Sequence, residues 1–269
     1  MALPEFPQGF TPEYLTKALR GKFLPEGTIV TNVSRSLVGE GSGMMADIAK
    51  LELSFEGPSE GLPHSVIAKY ASENPTNRQV AMLYNLYERE TRFSEELNPL
   101  TEARCPEFYF TGLENENFVI LMEDMTDYEV GNQTVGATLG QTELAIDELA
   151  KLHASFWEKV AHLKWVPGIV DSYHADNMNN LANSGWDTIV ETFGDFIPEH
   201  IRAQRDLFLS SIPALHTDRL RAPITLCLSY FRIDILLYWF HPLHLSFSLF
   251  FSPFPLSSSC LFFFFFFLL

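Results

Sequence analysis

The sequence predicts an α+β fold with two lobes, in which a small lobe built on an antiparallel sheet precedes a helical lobe that is incomplete. Three observations lead to this prediction. Strand-like runs with one inserted helical segment fill residues 1–125. From Thr142 onward, apolar residues recur at helical spacing instead. After residue 222 the composition changes abruptly, so we predict domains at 1–125, 126–222 and 223–269.

The first lobe is predicted to begin with a helix and to continue into five strands. Thr11 supplies a hydroxyl N-cap and Pro12 occupies the first helical position, so a helix should start there and end at Gly21. Apolar and β-branched runs bounded by turns predict the strands. These strands are residues 28–38, 46–55, 65–70, 105–111 and 118–122. A helical pattern over residues 76–97 separates the third strand from the fourth.

The second region is predicted to be helical. An apolar stripe at helical spacing begins after Thr142. It consists of Ile146, Leu149, His153 and Phe156. Two more helices are expected at residues 186–197 and 199–208, on either side of Pro198. We interpret His153 as a packed helix residue rather than as a catalytic one.

Charge and cysteine content limit the classes of partner and compartment. The net charge of −16 argues against a nucleic-acid partner, because phosphate backbones attract basic surfaces. Of the Lys, Arg, Asp and Glu residues, only Arg232 and Asp234 lie after residue 222, where 12 of the 24 Phe are found. The three cysteines, Cys105, Cys227 and Cys260, show no metal or redox spacing and favour a reducing compartment. No signal peptide is predicted at the N-terminus, so we expect a cytoplasmic protein.

A glycine cluster, Gly39-Glu40-Gly41-Ser42-Gly43, lies between the first two predicted strands. A dinucleotide-binding fingerprint would be followed by a helix, whereas strands flank this cluster on both sides. Glycines in such a hairpin allow backbone N–H groups to approach phosphate oxygens, because no Cβ intervenes. The ordinary alternative for three glycines in five residues is a flexible turn.

Lys69 and Glu90 are the predicted charged pair. Lys69 ends the strand that follows the glycine cluster, and the next helical pattern carries Glu90 on its apolar face. The other members of this face are Leu83, Tyr87, Ser94 and Leu97. A carboxylate that points inward needs a partner, and Lys69 is the candidate. The alternatives are a solvated strand-end lysine and a glutamate at the edge of the stripe.

Five segments in this order resemble the kinase-like phosphotransferases, which include the aminoglycoside phosphotransferases and the choline kinases. They are Gly39-Glu40-Gly41-Ser42-Gly43, Val66-Ile67-Ala68-Lys69, Tyr87-Glu88-Arg89-Glu90-Thr91-Arg92-Phe93, Cys105-Pro106 and Leu121-Met122-Glu123-Asp124-Met125. The closest resemblance is to the ecdysteroid-kinase-like (CHK-type) branch, whose first large-lobe helix is similar to residues 149–157. The resemblance implies a protein-kinase-like fold and Mg²⁺- and ATP-dependent phosphorylation of a hydroxyl on a small molecule, whose identity is not predicted.

The same resemblance implies roles for individual residues. The phosphates of ATP would be covered by Gly39, Gly41, Ser42 and Gly43. Lys69 would bind those phosphates, and Glu90 would orient Lys69. The link from Glu123 to Met125 would hold the adenine through its backbone groups.

The residues that transfer phosphate are not intact in the sequence. The family pattern is His-Gly-Asp-x-x-x-x-Asn followed by a second metal-binding Asp, and the nearest stretch here is residues 227–238. The positions of His, Gly and the catalytic Asp are occupied by Leu228, Ser229 and Tyr230. A tyrosine with a pKa near 10 cannot replace a carboxylate base, and Ile235, at the Asn position, has no oxygen for magnesium. No Asp or Glu follows Asp234, so we expect no intact catalytic or metal-binding residue.

The tail leaves three hypotheses open. Residues 245–269 contain only Leu, Ser, Phe, Pro and one Cys, which is typical of a translated polypyrimidine tract. We therefore expect an aberrant tail, disordered or non-native, on an inactive member of a kinase lineage. The second hypothesis is a pseudokinase that binds nucleotide without transferring phosphate. The third is a tail-anchored membrane protein, which prolines, serines and the lack of a basic flank disfavour.

Overall fold

The structure, a computed structural model, describes residues 2–38, 45–166, 172–218, 223–227, 236–241 and 244–249. Helix α1 spans Pro12–Ala18 and precedes a sheet of five antiparallel strands in the order β1-β2-β3-β5-β4. The strands are β1 Ile29–Leu37, β2 Ala46–Glu56, β3 Ser65–Ala71, β4 Phe108–Glu114 and β5 Asn117–Glu123. The predicted α+β class with an antiparallel sheet is confirmed.

The two faces of this sheet have different coverings. On one face, side chains from β2, β3 and β5 pack with the N-terminal segment and α1 into the main hydrophobic core. Its fully buried members include Leu15, Leu19, Leu51, Val66, Tyr70, Val119 and Leu121. The opposite face contacts the helices after β3, where the rings of Tyr87 and Phe118 stack with centroids 4.6 Å apart. Because side chains alternate along a strand, neighbours of the core residues in β3 and β5 project toward those helices.

Helix α1 begins as predicted. The Thr11 hydroxyl accepts a hydrogen bond from the Tyr14 N–H at 3.2 Å, and proline follows the cap. The predicted end at Gly21 is wrong, because the helix ends at Ala18 with Leu19 as its C-cap; Gly21, at φ +91°, lies in the turn that follows.

The predicted single helix over residues 76–97 is wrong, because the segment is broken at Asn85. Helix α2 spans Pro75–Leu83 and helix α3 spans Leu86–Arg92, followed by a π-helical turn at Phe93–Leu97 and a 3₁₀ turn at Asn98–Leu100. Asn85 has φ 52° and ψ 35°, a left-handed conformation that asparagine tolerates better than most residues. The break rotates α2 relative to α3, and Leu83, predicted to face inward, is 53% exposed.

Strand β4 starts later than predicted. Residues 105–107 precede it and the strand continues to Glu114. Pro106 has no N–H to donate to a ladder, which keeps this stretch out of the sheet.

Helix α4, Leu139–Phe156, presents a different face to the interior from the one predicted. Ile146 is 57% exposed, whereas Ala145, Glu148 and Leu152 are buried. Phe156 is buried as predicted, whereas the other buried positions each lie one residue before the predicted ones and include the carboxylate of Glu148. His153 is partly buried, and this burial lowers its pKa.

The later helices are longer or shorter than predicted. Helix α5 spans Ser172–Phe193, a 3₁₀ turn covers Gly194–Phe196, and α6 and α7 span Glu199–Arg202 and Arg205–Asp218. A local core of Ala182, Trp186 and Leu209 joins α5 to α7, with the rings of Trp186 and Phe208 5.6 Å apart. The predicted helices at 186–197 and 199–208 therefore each combine parts of two elements.

The chain forms two compact units that divide after Ser155, and the domains at 1–125, 126–222 and 223–269 stay predictions. The first unit also holds a second sheet, in the order β6-β7-β8: β6 Glu129–Val130, β7 Leu236–His241 and β8 His244–Leu249. Two strands thus come from the tail that the sequence predicts to be disordered or non-native. No helix in the described part of the chain is long and apolar enough to cross a membrane.

Candidate functional site

A buried ion pair joins Lys69 of β3 to Glu90 of α3. Lys69 Nζ lies 2.7 Å from Glu90 Oε2, and the two side chains are 3% and 7% exposed. Lys69 pairs in register with Ile120 of β5, so its side chain leaves the sheet on the face that α3 covers. The inward orientation that periodicity predicts for Glu90 is present, and it depends on the turn at Asn85 that starts α3 in the correct rotation.

Burial shifts both members of this pair toward their neutral forms. Desolvation raises the pKa of Glu90 to about 7, although the nearby Lys69 charge opposes the shift. Desolvation likewise lowers the pKa of Lys69 against the opposing effect of Glu90. For each group, the free energy lost when the charged form is desolvated exceeds the free energy gained by attraction to its partner. Another charged group near Lys69 would change this balance of free energies.

Glu90 has a second oxygen that remains unpaired. Among the described residues no hydrogen-bond donor reaches Glu90 Oε1, although the atom is buried. A cavity of about 10 Å³ lies beside the pair, which is close to the volume that one water molecule requires. Its lining comprises Lys69, Glu90, Phe93, Pro106, Phe108, Ile120 and Met122. The cavity therefore lies on the face of the sheet that carries the ion pair, and its lining includes Met122 near the end of β5.

Glu123, at the end of β5, uses its side chain within the fold. Its two carboxylate oxygens accept hydrogen bonds from Arg104 Nη2 at 2.7 and 2.8 Å. Oε2 also accepts from the backbone N–H of Glu107 at 3.0 Å, while the Glu123 N–H donates to the Glu107 carbonyl at 2.8 Å. The carboxylate of Glu123 already has hydrogen-bond partners, so a ligand at this position would have to bind backbone groups of the link.

Asp124, the next residue, ties the link to two strands. Its Oδ2 lies 2.8 Å from Lys50 Nζ of β2 and accepts a hydrogen bond from the Ser65 hydroxyl of β3. Its Oδ1 accepts from the Thr126 N–H at 2.9 Å. Burial alone would raise the pKa of Asp124, but the hydrogen bonds from Lys50, Ser65 and Thr126 hold it at about 2.

Met125 presents a backbone N–H at the centre of the link. The residue as a whole is buried, at 6% exposure, and its carbonyl accepts a hydrogen bond from the Tyr128 N–H at 3.0 Å. Within the described residues, no acceptor is bonded to the Met125 N–H. A backbone donor fixed in this way is able to bind an acceptor on a planar heterocycle.

Several predicted positions lie outside the described residues. They are Gly39, Gly41, Ser42, Gly43, Leu228, Ser229, Tyr230 and Ile235. The strands that flank the glycine cluster are described: β1 and β2 pair antiparallel from Ile29↔Glu56 to Leu37↔Ala49, so residues between them connect a hairpin. In the described part of the chain, no group of three or more His, Cys, Asp or Glu is placed to hold a metal ion.

Two residues of the site were missed by the sequence analysis. Arg104 and Lys50 hold Glu123 and Asp124, yet each lies far from its partner in sequence. Asp124 itself was noted only as part of the link. No spacing within the sequence could have paired these residues, because the fold brings β2 and the segment before β4 to the end of β5.

Comparison with known proteins identifies the family. The chain matches the sequence profile of the ecdysteroid kinase-like family over residues 40–222, which is more than half of its length. The chain belongs to the ecdysteroid kinase-like family. No curated protein matches the chain significantly.

Membership in the ecdysteroid kinase-like family confirms the predicted kinase-like phosphotransferase class, and the antiparallel sheet with helices agrees with a kinase-like fold. Kinase-like families generally use ATP and Mg²⁺ to phosphorylate small molecules. The match ends at residue 222, where the composition of the chain changes. It therefore includes Lys69, Glu90 and the link after β5, and it excludes the segment with Tyr230 and Ile235.

Proposed function

We propose that this chain binds ATP on the sheet face that carries Lys69 and Glu90. The observation that supports the proposal is the buried ion pair of Lys69 and Glu90. Burying the charge of Lys69 costs free energy, and a phosphate oxygen bound by that charge would offset part of this cost. Phosphate oxygens near Lys69 would favour its protonated form, which burial now disfavours. Glu90 would hold the ammonium in place, as in other kinase-like enzymes.

The link after β5 supplies the other half of the proposed site. The Met125 N–H, for which the described residues supply no acceptor, would donate to the adenine ring, and the Glu123 side chain, held by Arg104, would leave only backbone groups facing it. Gly39, Gly41, Ser42 and Gly43 would approach the phosphates through backbone N–H groups. Magnesium would neutralise phosphate charge when bound, and no ligand for it is assigned to this chain.

We further propose that the chain binds nucleotide without transferring its phosphate. In the alignment that the resemblance implies, Tyr230 would take the place of the carboxylate that positions the acceptor hydroxyl, and a phenol keeps its proton near neutral pH. Ile235 stands where the family has an amide that binds Mg²⁺, and its side chain has no oxygen. Binding and transfer depend on different segments, so the first can persist without the second.

Binding is tested with the purified full chain by thermal shift and isothermal titration calorimetry with ATP and Mg²⁺. A ligand at 100 times its Kd stabilises the folded state by about 2.7 kcal/mol, which gives a measurable rise in Tm. Lys69→Met should weaken ATP at least about tenfold, since it removes a charged hydrogen bond to phosphate. Lys17→Met is the matched control, because Lys17 is exposed on α1. Wild-type protein without any ATP affinity would reject the nucleotide site.

Transfer is tested separately with γ-labelled ATP and a panel of hydroxylated small molecules, including steroids, sugars and amino alcohols. We expect neither ATP hydrolysis above the buffer rate nor a labelled product. Labelled product from wild-type protein, lost in Lys69→Met, would show an active enzyme and contradict the proposed inactivity while supporting the nucleotide site.

A further inference from the structure

We propose that Arg104 is a positioning residue that fixes the link from Glu123 to Met125, with Glu148 of α4 as its anchor. The inference rests on the proposed nucleotide site, because the group being positioned is the Met125 N–H. Arg104 precedes β4 and lies outside every motif that defines the proposed site.

The Arg104 side chain contacts residues on both sides of Met125. Its Nη2 donates to both oxygens of Glu123, two residues before Met125, and its guanidinium also interacts electrostatically with the side chain of Tyr128, three residues after Met125. Nη1 donates to the carbonyl of Cys105. A planar guanidinium has five donors in a rigid fork, so one side chain can hold these groups in a defined relative position.

Met125 is thereby enclosed by constraints. Tyr128 returns to it through the backbone bond to the Met125 carbonyl, and Asp124 is held on the other side by Lys50 and Ser65. The bond from Tyr128 holds the peptide that follows Met125, whereas the Met125 N–H belongs to the peptide that joins Asp124 to Met125. The direction of this N–H therefore depends on how Glu123 and Asp124 are held. Loss of the guanidinium would release Glu123 and Tyr128, on the two sides of Met125, together.

The backbone of Arg104 is itself fixed by helix α4. Its N–H donates to Glu148 Oε2 at 2.6 Å, and Glu148 Oε1 lies 2.5 Å from Lys151 Nζ. The Glu148 side chain is only 12% exposed, and these two partners satisfy its carboxylate on the inward face of α4. Arg104 therefore connects the helix after the link to the link itself.

The contribution of Arg104 to stability should be small compared with its effect on geometry. The side chains of Arg104 and Glu123 are 39% and 28% exposed, so solvent screens their attraction. A link whose orientation changes would nevertheless lose adenine contacts, while phosphate contacts at Lys69 would remain. This separation distinguishes positioning from general destabilisation.

The test measures three ligands on the full chain: ATP, adenosine and inorganic tripolyphosphate. In Arg104→Ala we expect ATP and adenosine to bind about tenfold more weakly, the equivalent of one lost hydrogen bond to a defined donor, while tripolyphosphate is unchanged. Arg104→Lys should restore little, because an ammonium cannot hold two groups in a fork. Glu148→Gln should give the same selectivity with a smaller loss, and it serves as the second variant if Arg104→Ala folds poorly.

Arg92→Ala is the matched control, since Arg92 also makes a two-bond contact with a glutamate, Glu96, but on the exposed side of the molecule. It should bind all three ligands as wild type does. Equal loss of adenosine and tripolyphosphate in Arg104→Ala, or wild-type adenosine affinity in both the Arg104 and Glu148 variants, would overturn the positioning role. If wild-type protein binds ATP and tripolyphosphate but the variants give one of these results, the nucleotide site stands and only the positioning role of Arg104 is rejected. If wild-type protein binds no ATP, both proposals are rejected.

Discussion

Replacing Lys69 with methionine is expected to destabilise the first compact unit in a pH-dependent way. The partner, Glu90, would then be a buried carboxylate with no counter-charge. Removing one member of a buried pair typically costs about 3 to 5 kcal/mol. The methionine has nearly the length of lysine, so the loss reflects charge rather than a cavity.

The pH dependence follows from the pKa of Glu90. Its pKa in the folded protein is raised from 4.5 to about 7, so the folded state binds the proton more tightly than the unfolded state. Stability is therefore highest below pH 4.5 for this group and falls as the pH rises toward 7. This shift corresponds to about 3 kcal/mol at 1.36 kcal/mol per pH unit. Without Lys69 the pKa rises further, so the loss continues above pH 7.

The measurement is urea denaturation at pH 5.5 and pH 9, with hydrogen exchange followed for β3 and α3 so that each compact unit is observed separately. Lys69→Met should lie close to wild type at pH 5.5 and several kcal/mol below it at pH 9, within the ~3 to 5 kcal/mol range. The double variant with Glu90→Gln should recover most of the loss, because no buried charge remains. Lys17→Met, at an exposed position, should match wild type at both pH values.

Two results would refute this reasoning. One is a loss in Lys69→Met that is equal at the two pH values, since protonation of Glu90 would then have no part in it. The other is a double variant whose loss equals the sum of the two single losses, because paired residues must show a coupling energy.

Variants at three other positions test single structural features. Asp124→Asn should remove a stabilisation that wild type loses as the pH falls from 3.8 toward about 2, because the folded-state pKa of Asp124 is depressed to that value. Thr11→Ala should cost about 1 kcal/mol through the lost cap on α1. Asn85→Val should cost about 1 to 2 kcal/mol because φ is 52°, whereas Asn85→Gly should be tolerated.

Each of these variants has a measurement that decides it. Acid titration followed by circular dichroism reports Asp124, and an acid limb identical to wild type in Asp124→Asn would remove its assigned role. Urea midpoints report Thr11 and Asn85. A valine at Asn85 as stable as the glycine would contradict the left-handed turn.

The sequence predicted those features that depend on residues close together in the chain. The Thr11-Pro12 signal placed the start of α1, and alternation placed the strands within a few residues. Glu90 was predicted to face inward because charged residues on an apolar stripe are exceptional. The ion pair with Lys69 then followed from chemistry, since few partners suit a buried carboxylate.

Other features depend on contacts between distant segments. Periodicity treats residues 76–97 as one helix because it has no measure of the left-handed turn at Asn85. It likewise places Ile146 inward on α4, whereas the inward position belongs to Glu148, which is fixed by the Arg104 N–H. Apolar patterns rank a glutamate as a surface residue, and only the fold reveals the donor that it satisfies.

The contacts that shape the proposed site are all made between residues of the chain itself. Glu123 is bonded to Arg104, Asp124 to Lys50, and Lys69 to Glu90. These three pairs hold the residues of the proposed binding half in position. Tyr230 and Ile235, which the resemblance assigns to the segment for phosphate transfer, belong to none of these pairs. The proposed binding of nucleotide and the proposed loss of transfer therefore depend on different residues, and the two proposals can be tested separately.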